Sequence, residues 1–261
     1  MNGLKTRQCI WCSRKVPEVE FKKKAHTIPK SLGGKNICLN VCDGCNSYFG
    51  NVNDKLPSIE TTLKESFNIS RLMYLYSDNE VGRNKALARF KSIFFTVNLK
   101  KRKIMIKPGY RLKQDFQVNL ARQLKRGIFK VFLEERERQF GDAHNSKFDF
   151  IREFSRYNLG DYPVYYYKRK FGAILMIKEF GESPELFMKK DYRMKYLIDN
   201  NNFFEFELLG HVIGIPTSKY YQLTFDLYVK ETRALKKDLF DSFRPIIRFS
   251  DFDLSLSILE D

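Results

Sequence analysis

The chain has 261 residues, of which 43% are hydrophobic and 30% are charged, and this composition predicts a folded globular protein rather than a disordered chain. Its 47 lysine and arginine residues against 31 aspartate and glutamate residues give a net charge of +16, which favours a polyanionic partner such as nucleic acid. No apolar run reaches the ~18 residues of a transmembrane helix, and the N-terminal residues lack the apolar core of a signal peptide. We therefore expect a cytoplasmic protein with no membrane partner.

The first 56 residues differ in composition from the remainder, because they contain every cysteine of the chain together with many lysine, glycine and asparagine residues. The predicted elements of this segment, in chain order, are a cysteine turn at 9–12, a strand at 18–24, a loop at 27–36, a strand at 37–41 and a helix at 44–55. Gly33 and Gly34 interrupt the loop, and Asp43 is suited to cap the helix. We therefore predict a small first domain at residues 1–56.

Residues 57–261 are predicted to form a larger mixed domain. Its predicted elements are a helix at 58–76, a hairpin of strands at 92–98 and 103–107, a long helix at 115–140, a shorter helix at 147–157, strands at 162–168, 172–178, 203–213 and 220–229, and a helix at 231–243. Helices and strands do not alternate strictly, so we predict an α+β fold for the chain. The role of this domain is left open between substrate selection, formation of a homodimer and sensing of a trigger.

Two groups of basic residues in the larger domain have an ordinary structural explanation. Lys125, Arg126, Arg136 and Arg138 lie on the long helix, where charged residues usually form a solvated face. The aromatic and basic residues of 162–171 could form a platform for nucleic acid, but we favour a hairpin with one face in the core. Neither group predicts a second active site.

All five cysteines lie within the first 45 residues, which is typical of metal binding rather than of disulfides in a cytoplasmic protein. Cys9 and Cys12 form one CxxC pair and Cys42 and Cys45 form a second, with 29 residues between Cys12 and Cys42. Each pair can place two thiolates on one tight turn, and two such turns complete a tetrahedral Zn²⁺ site. Cys38 is left over and is expected to be a small buried residue of the second strand. We therefore predict a structural zinc ion that contributes much of the folding energy of this small domain.

Between the two cysteine pairs lies the sequence HTIPKSLGG at residues 26–34, and Asn46 follows the second pair directly. In this order and spacing, the patterns Cys-x2-Cys, His-x-Ile-Pro-Lys-Ser-Leu-Gly-Gly and Cys-x2-Cys-Asn resemble the HNH (His-Me finger) endonucleases, in particular the subgroup with a zinc-binding frame. The resemblance covers about residues 9–54. It implies a ββα-metal module whose active site lies on the hairpin and the helix.

The resemblance also implies the roles of the reactive residues. His26 corresponds to the general base that deprotonates the attacking water, and a neutral imidazole suits this role because its pKa lies near the working pH. Asn46 corresponds to the ligand of a catalytic Mg²⁺ or Mn²⁺ ion, for which an amide oxygen is a suitable hard donor. Lys24 and Lys30 are candidates for contacts with phosphate groups. The expected substrate is double-stranded DNA, in a setting such as restriction or defence.

The sequence departs from the family pattern in two respects. Many members carry an acidic residue or a histidine directly before the base as a second metal ligand, whereas this chain has Ala25. The acids close enough in sequence to supply the missing ligand are Glu20, Asp43 and Asp54. The middle asparagine of the family pattern, which orients the base through the backbone, has two candidates, Asn36 and Asn40.

Three hypotheses for the function follow from these observations. The first is a metal-dependent endonuclease in which His26 and Asn46 act on a phosphodiester bond. The second is a zinc-stapled nucleic-acid-binding protein without catalytic activity, for which Ala25 is the motive. The third makes the larger domain the functional unit, as a protein-interaction or ligand-sensing domain.

Overall fold

The computed structural model describes eight stretches of the chain, namely residues 7–52, 56–67, 91–98, 103–107, 113–167, 202–208, 211–234 and 243–252. Within them the protein has the predicted α+β fold. The helices are α1 (Asp43–Gly50), α2 (Ile59–Ser66), α3 (Gln114–Phe140), α4 (Asp149–Tyr157) and α5 (Tyr221–Ala234). The strands are β1 (Ala25–His26), β2 (Ile37–Cys38), β3 (Phe95–Asn98), β4 (Lys103–Ile106), β5 (Tyr165–Tyr167), β6 (Phe203–Leu208), β7 (His211–Pro216) and β8 (Phe243–Pro245).

All the strand pairs are antiparallel. Strands β1 and β2 form a short hairpin in which His26 lies opposite Ile37. Strands β3 and β4 form the second hairpin, as predicted, with Phe95 opposite Ile106. The remaining four strands form one sheet in the order β6-β7-β5-β8.

The predicted strand at 18–24 is wrong, and the first strand is instead β1. Backbone groups of this segment bond to the start of α1 rather than to a neighbouring strand. The carbonyl oxygen of Glu20 accepts a hydrogen bond from the amide of Asp43 at 2.8 Å, and the amide of Lys23 donates to the Asp43 carboxylate at 2.8 Å. These contacts tie the segment that precedes His26 to the helix that carries Asn46.

The predictions for the C-terminal part are only partly confirmed. The segment predicted as a strand at 220–229 lies in helix α5, where Phe225 stacks on Tyr165 and Tyr228 stacks on Phe203, each pair of ring centroids 4.0 Å apart. A spacing of three residues brings both rings to the same helix face, and this packing on the sheet overrides the strand preference of tyrosine, phenylalanine and valine. The predicted strand at 203–213 is divided between β6 and β7.

Three further predictions have other outcomes. The helix predicted at 231–243 is confirmed over residues 231–234, which lie in α5, and is wrong at Phe243, which begins β8, while residues 235–242 lie outside the described residues. The predicted strand at 172–178 lies outside the described residues, as does the second half of the helix predicted at 58–76.

The long helix α3 lies at the centre of the hydrophobic core. It ends at Gly141, whose positive φ of 68° closes the helix. Helix α2 packs closely against α3 at Gly127 of α3, where an added Cβ atom would lie 3.3 Å from Cγ2 of Ile59. One continuous cluster of buried side chains runs from the cysteine segment through α3 to the four-stranded sheet. No described helix is both long enough and apolar enough to span a membrane.

The expectation of a solvated charged face on α3 is wrong for part of the helix. Arg126 is only 4% exposed, because its guanidinium donates to the carbonyl oxygen of Ser155 at 3.0 Å and to the hydroxyl of Tyr48 at 2.5 Å. Lys125 is also buried and pairs with Asp161 at 2.6 Å. Arg126 therefore joins α3 to α1 and α4, and Lys125 joins it to the segment that follows α4.

Candidate functional site

The four cysteines of the two CxxC pairs converge on one point. The sulfur atoms of Cys9, Cys12, Cys42 and Cys45 all lie within 4.8 Å of one another, and those of Cys12 and Cys42 are 3.8 Å apart. A tetrahedral zinc ion with Zn–S bonds of about 2.3 Å requires sulfur atoms about 3.8 Å apart. The donor set and its spacing therefore fit a structural zinc ion. Among the described residues, no other group of three or more histidine, cysteine or acidic side chains has this arrangement.

Local backbone geometry builds the two turns of this cluster. In the first turn the amide of Cys9 donates to the carbonyl oxygen of Arg14 at 2.9 Å, and Ser13 adopts a positive φ of 59°. The second turn begins at Cys42, whose amide donates to the sulfur of Cys9 at 3.4 Å and whose carbonyl oxygen accepts the amide of Asn46 at 2.9 Å. The helix that carries Asn46 thus starts directly from the cysteine cluster.

Within the cluster, hydrogen bonds favour the thiolate of Cys9, whereas the pKa values of Cys12 and Cys45 are raised. A hydrogen bond from Cys45 lowers the pKa of Cys9 to about 4, although burial opposes this shift. Burial raises the pKa of Cys12 to about 11, because it disfavours the charged thiolate. Arg156 of α4 opposes the rise in the pKa of Cys45, and its guanidinium carbon lies 3.9 Å from the ring centroid of Tyr48. A positive group therefore lies against the cluster.

Cys38 is not part of the cluster. It lies on β2 opposite Ala25, is buried, and has a raised pKa because burial disfavours its thiolate. This is the environment expected for a small apolar core residue.

His26 lies at the end of β1, on the partly exposed side of the hairpin, whereas the neighbouring Ala25 is fully buried. Its Nδ1 atom lies 3.2 Å from the carbonyl oxygen of Lys24. A carbonyl oxygen can only accept, so Nδ1 must be the donor, and Nε2 of the neutral ring is left as the proton acceptor. The neutral ring in this hydrogen bond therefore presents Nε2 as its proton acceptor.

The surroundings of His26 favour its neutral form. Burial lowers the pKa of the imidazole, and the positive charges of Lys30 and Lys130 lower it further, against the opposing effects of the Lys24 carbonyl and of Glu60. A lowered pKa keeps the ring unprotonated at neutral pH.

Asn46 lies in the first half of α1 and is partly buried. Within the described residues its side-chain amide has no hydrogen-bond partner, so its oxygen is available to an external ligand. Its backbone is fixed by the bond to Cys42, and the preceding segment is fixed to α1 by Asp43. A partly exposed amide oxygen on a fixed helix fits one ligand position of an Mg²⁺ or Mn²⁺ ion.

The two lysines proposed for phosphate contacts are both exposed. Lys24 lies directly before β1, and its carbonyl oxygen is the group that holds His26. Lys30 opens a short 3-10 turn (Lys30–Leu32), and its charge acts on the imidazole. This turn ends at Gly33 with a φ of 87°, and Gly34 packs so closely on Ile28 that an added Cβ atom would lie 2.0 Å from the Ile28 carbonyl oxygen. The two glycines therefore shape the loop beside His26.

The acids that could replace the missing ligand at position 25 have different surroundings. Glu20 is exposed and pairs with Lys22 at 2.8 Å. Asp43 accepts the amide of Lys23, and Asp54 lies outside the described residues. Glu60 of α2 is a further acid near His26, on whose pKa its charge acts, and its side chain is 28% exposed. No local pattern in the sequence singles out Glu60.

The two candidates for the middle asparagine contact helix α3. The carbonyl oxygen of Asn36 accepts the amide of Thr27 at 3.1 Å, next to His26, while its side-chain amide reaches Glu135 at 3.5 Å. Asn40 donates to Glu137 at 2.6 Å. Asn36 is therefore the candidate that touches the backbone beside the base.

Helix α3 contributes polar side chains to this region that the sequence did not predict. Trp11 in the first cysteine turn donates to Glu134 at 3.1 Å, and Thr27 donates to Glu135 at 2.5 Å. Lys130 donates to the carbonyl oxygen of His26 at 3.0 Å. These residues are separated from the hairpin by about a hundred positions in the sequence, so no local pattern could have indicated them.

Comparison with known families agrees with this geometry. Residues 9–57 match the family model described as HNH endonuclease. The matched segment contains the cysteine cluster, the β1–β2 hairpin and α1, and this part of the chain is therefore similar to HNH endonucleases. A comparison with curated proteins and one with solved structures each found no match. The class of activity supported by the family match is that of a nuclease, whose substrate is nucleic acid.

Proposed function

We propose that this protein is a metal-dependent endonuclease that hydrolyses phosphodiester bonds, with His26 as its general base. The observation that carries the proposal is the hydrogen bond between Nδ1 of His26 and the Lys24 carbonyl oxygen, which leaves Nε2 to accept a proton within a segment that matches the HNH family. A proton acceptor of this kind contributes about 10²- to 10⁴-fold to a hydrolysis rate.

In the proposed reaction Nε2 of His26 takes a proton from the water that attacks the phosphorus atom. The hairpin holds the ring on the side of β1 that is open to solvent, where a phosphate group can approach. Asn46 would hold a divalent metal ion, Mg²⁺ or Mn²⁺, which when bound stabilises negative charge on the phosphate and on the leaving oxygen. Lys24 and Lys30 would bind neighbouring phosphates of the strand and fix its register.

We further propose that Cys9, Cys12, Cys42 and Cys45 bind a structural zinc ion. Zinc would hold the first turn to the start of α1, the helix that carries Asn46.

The finer features of the proposal rest on composition and analogy. The net charge of +16 supports a polyanionic substrate, and we propose double-stranded DNA. A cytoplasmic location, a role in defence and a homodimer also remain proposals, as does the division of the chain at residue 56 into a nuclease module and a larger domain for substrate selection, dimerisation or sensing.

The proposal is tested by plasmid nicking with Mg²⁺, with Mn²⁺ and with a chelator. Wild-type protein should cut only with a divalent metal, and His26→Ala should lose at least about 10²-fold in rate. His144→Ala is the matched control, because His144 is a partly exposed histidine of the 141–148 connection and has no part in the site. Equal cutting by His26→Ala and His144→Ala would rule out His26 as the base.

One observation favours a second candidate, a zinc-stapled nucleic-acid-binding protein without catalytic activity. Ala25 is fully buried and cannot bind a metal, although many HNH endonucleases carry a ligand at this position. The same assay, combined with a gel shift, separates the two candidates. A protein that only binds would shift the plasmid in the gel but would not cut it with any divalent metal ion.

A further inference from the structure

Lys130 is a fully buried lysine directly beneath the hairpin that carries His26. Its ammonium nitrogen lies 2.9 Å from Oε2 of Glu134, 3.3 Å from Oε1 of Glu60 and 3.0 Å from the carbonyl oxygen of His26. An ammonium group has three donors, and these three acceptors match them. Burial lowers the pKa of Lys130, but the two carboxylates outweigh it and the pKa is raised, so that the side chain stays charged.

The contact with His26 fixes the peptide that follows the proposed base. This peptide group joins His26 to Thr27. Its carbonyl oxygen, that of His26, accepts a hydrogen bond from Lys130, and its N–H group, that of Thr27, donates to the carbonyl oxygen of Asn36 at 3.1 Å. The hydroxyl of Thr27 donates to Glu135, one turn further along α3. The base is thus followed by a peptide group that is clamped on both sides, and α3 supplies two of the three contacts.

We propose that Lys130 is a positioning residue of the cleavage site, which acts through its hydrogen bond to the His26 carbonyl to hold the imidazole in its working orientation. This inference rests on the proposed role of His26 as the base. It assigns to helix α3, beyond the segment that matches the HNH family, the backbone-orienting task that the sequence analysis gave to Asn36 or Asn40.

The charge of Lys130 has a second effect on the same residue. The charged groups around the imidazole are Lys30, Lys130 and Glu60, and the two lysines lower the pKa of His26 while Glu60 raises it. Removal of the Lys130 charge should therefore raise this pKa and protonate more of the base at neutral pH. Lys130→Arg keeps the charge but alters the reach of the donor, so it separates position from charge.

The test uses the full chain with Lys130→Met combined with Glu134→Gln, because Lys130→Met alone would leave the buried Glu134 carboxylate without a cation. Lys125→Met is the matched control, since Lys125 is a buried lysine of the same helix that pairs with Asp161 instead. Nitrogen-15 NMR of the imidazole reports the tautomer and pKa of His26, and steady-state cleavage kinetics report kcat and KM.

The double variant should populate both tautomers of His26 and lower kcat by about 10²-fold with little change in KM, as expected for a misplaced group. Lys130→Arg should leave the pKa near the wild-type value but still lower kcat, and Lys125→Met should change neither. A folded, zinc-loaded double variant with wild-type tautomer and kcat would overturn the inference. If the double variant does not fold, the Lys130→Arg variant tests the inference instead. A wild-type kcat and a wild-type His26 tautomer in Lys130→Arg would overturn the positioning role of Lys130.

The NMR measurement separates this inference from the proposed function. If wild-type protein cuts no nucleic acid but the variants still change the His26 tautomer, the proposed function fails and the positioning contact stands. If wild-type protein cuts, and neither the tautomer nor kcat responds to Lys130→Arg or to the double variant, the function stands and the positioning role fails.

Discussion

The Nδ1 atom of His26 lies 3.2 Å from the carbonyl oxygen of Lys24, so the opposite ring nitrogen is the one that can take a proton. Burial lowers the pKa of this ring below its ordinary value of 6.5. A lowered pKa in the folded state means that the unfolded chain binds more protons just below pH 6.5, so this residue's contribution to stability is present above that pH and is lost as the pH falls.

The same shift sets the pH dependence of cleavage. The acid limb of the kcat/KM profile should have its midpoint below pH 6.5, because the base must be unprotonated. Lys30→Gln removes a charge that lowers the pKa, so it should move the midpoint upward. Lys22→Gln is the control, since Lys22 is exposed and pairs with Glu20. An acid limb above pH 7 in the wild-type protein would contradict this account of the site.

Loss of one cysteine of the cluster should remove zinc and unfold the hairpin. Cys45→Ala leaves three sulfur ligands, and a structural zinc site contributes on the order of 10 kcal/mol in small zinc domains. Cys38→Ala is the control, because Cys38 is buried outside the cluster and its loss should cost about 1 kcal/mol. Metal analysis measures the zinc content of the two variants, and thermal unfolding measures their stability. Equal zinc content in both variants would exclude the tetrathiolate site.

Arg156 should strengthen zinc binding because its positive charge favours the thiolate of Cys45. Arg156→Met removes the positive group beside four sulfur ligands and should weaken zinc binding by about 10-fold, as changes in groups that support metal ligands do. Arg14→Met is the control, because Arg14 is an exposed residue of the first cysteine turn. Competition with a chromophoric chelator measures the affinity, and the same affinity in both variants would show that the contact does not support the metal.

Gly34 should not tolerate a side chain, whereas Gly44 should. Gly34→Ala would place a Cβ atom 2.0 Å from the Ile28 carbonyl oxygen and should cost about 3 kcal/mol or distort the loop beside His26. Gly44 lies in α1 with open space around it, so Gly44→Ala should stabilise the protein by about 0.5 kcal/mol. Urea unfolding compares the two variants, and a Gly34→Ala protein as stable as wild type would contradict the close packing of this loop.

The parts of the structure that the sequence predicts are those that depend on local pattern. Helix α3 was predicted to within one residue because its apolar residues recur with helical spacing and Gly141 ends it. The cysteine cluster was predicted because its ligands come in two matched pairs on tight turns. The start of α1 beside the second pair follows from the same pattern.

The parts that the sequence does not predict depend on contacts between distant segments. In the sequence, Lys130 and Glu134 have the spacing of charged residues on an ordinary solvated helix face. In the structure they are buried, and their partners His26 and Trp11 lie over a hundred residues earlier in the chain. The pKa of Glu134 is raised to about 7 by burial, which no sequence pattern indicates. Helix α5 was predicted as a strand because its stacking on Tyr165 and Phe203 is not visible in the sequence.

The central claim is that His26 and Asn46 act at one divalent metal ion. It is tested most directly by adding Mn²⁺ to the full-length, zinc-loaded protein with a bound oligonucleotide and recording the imidazole proton resonances of its three histidines. The account predicts strong paramagnetic broadening of His26, little effect on His144 and His211, and loss of the broadening in Asn46→Ala. Resonances of His26 that stay sharp in Mn²⁺, or broadening that persists in Asn46→Ala, would contradict it.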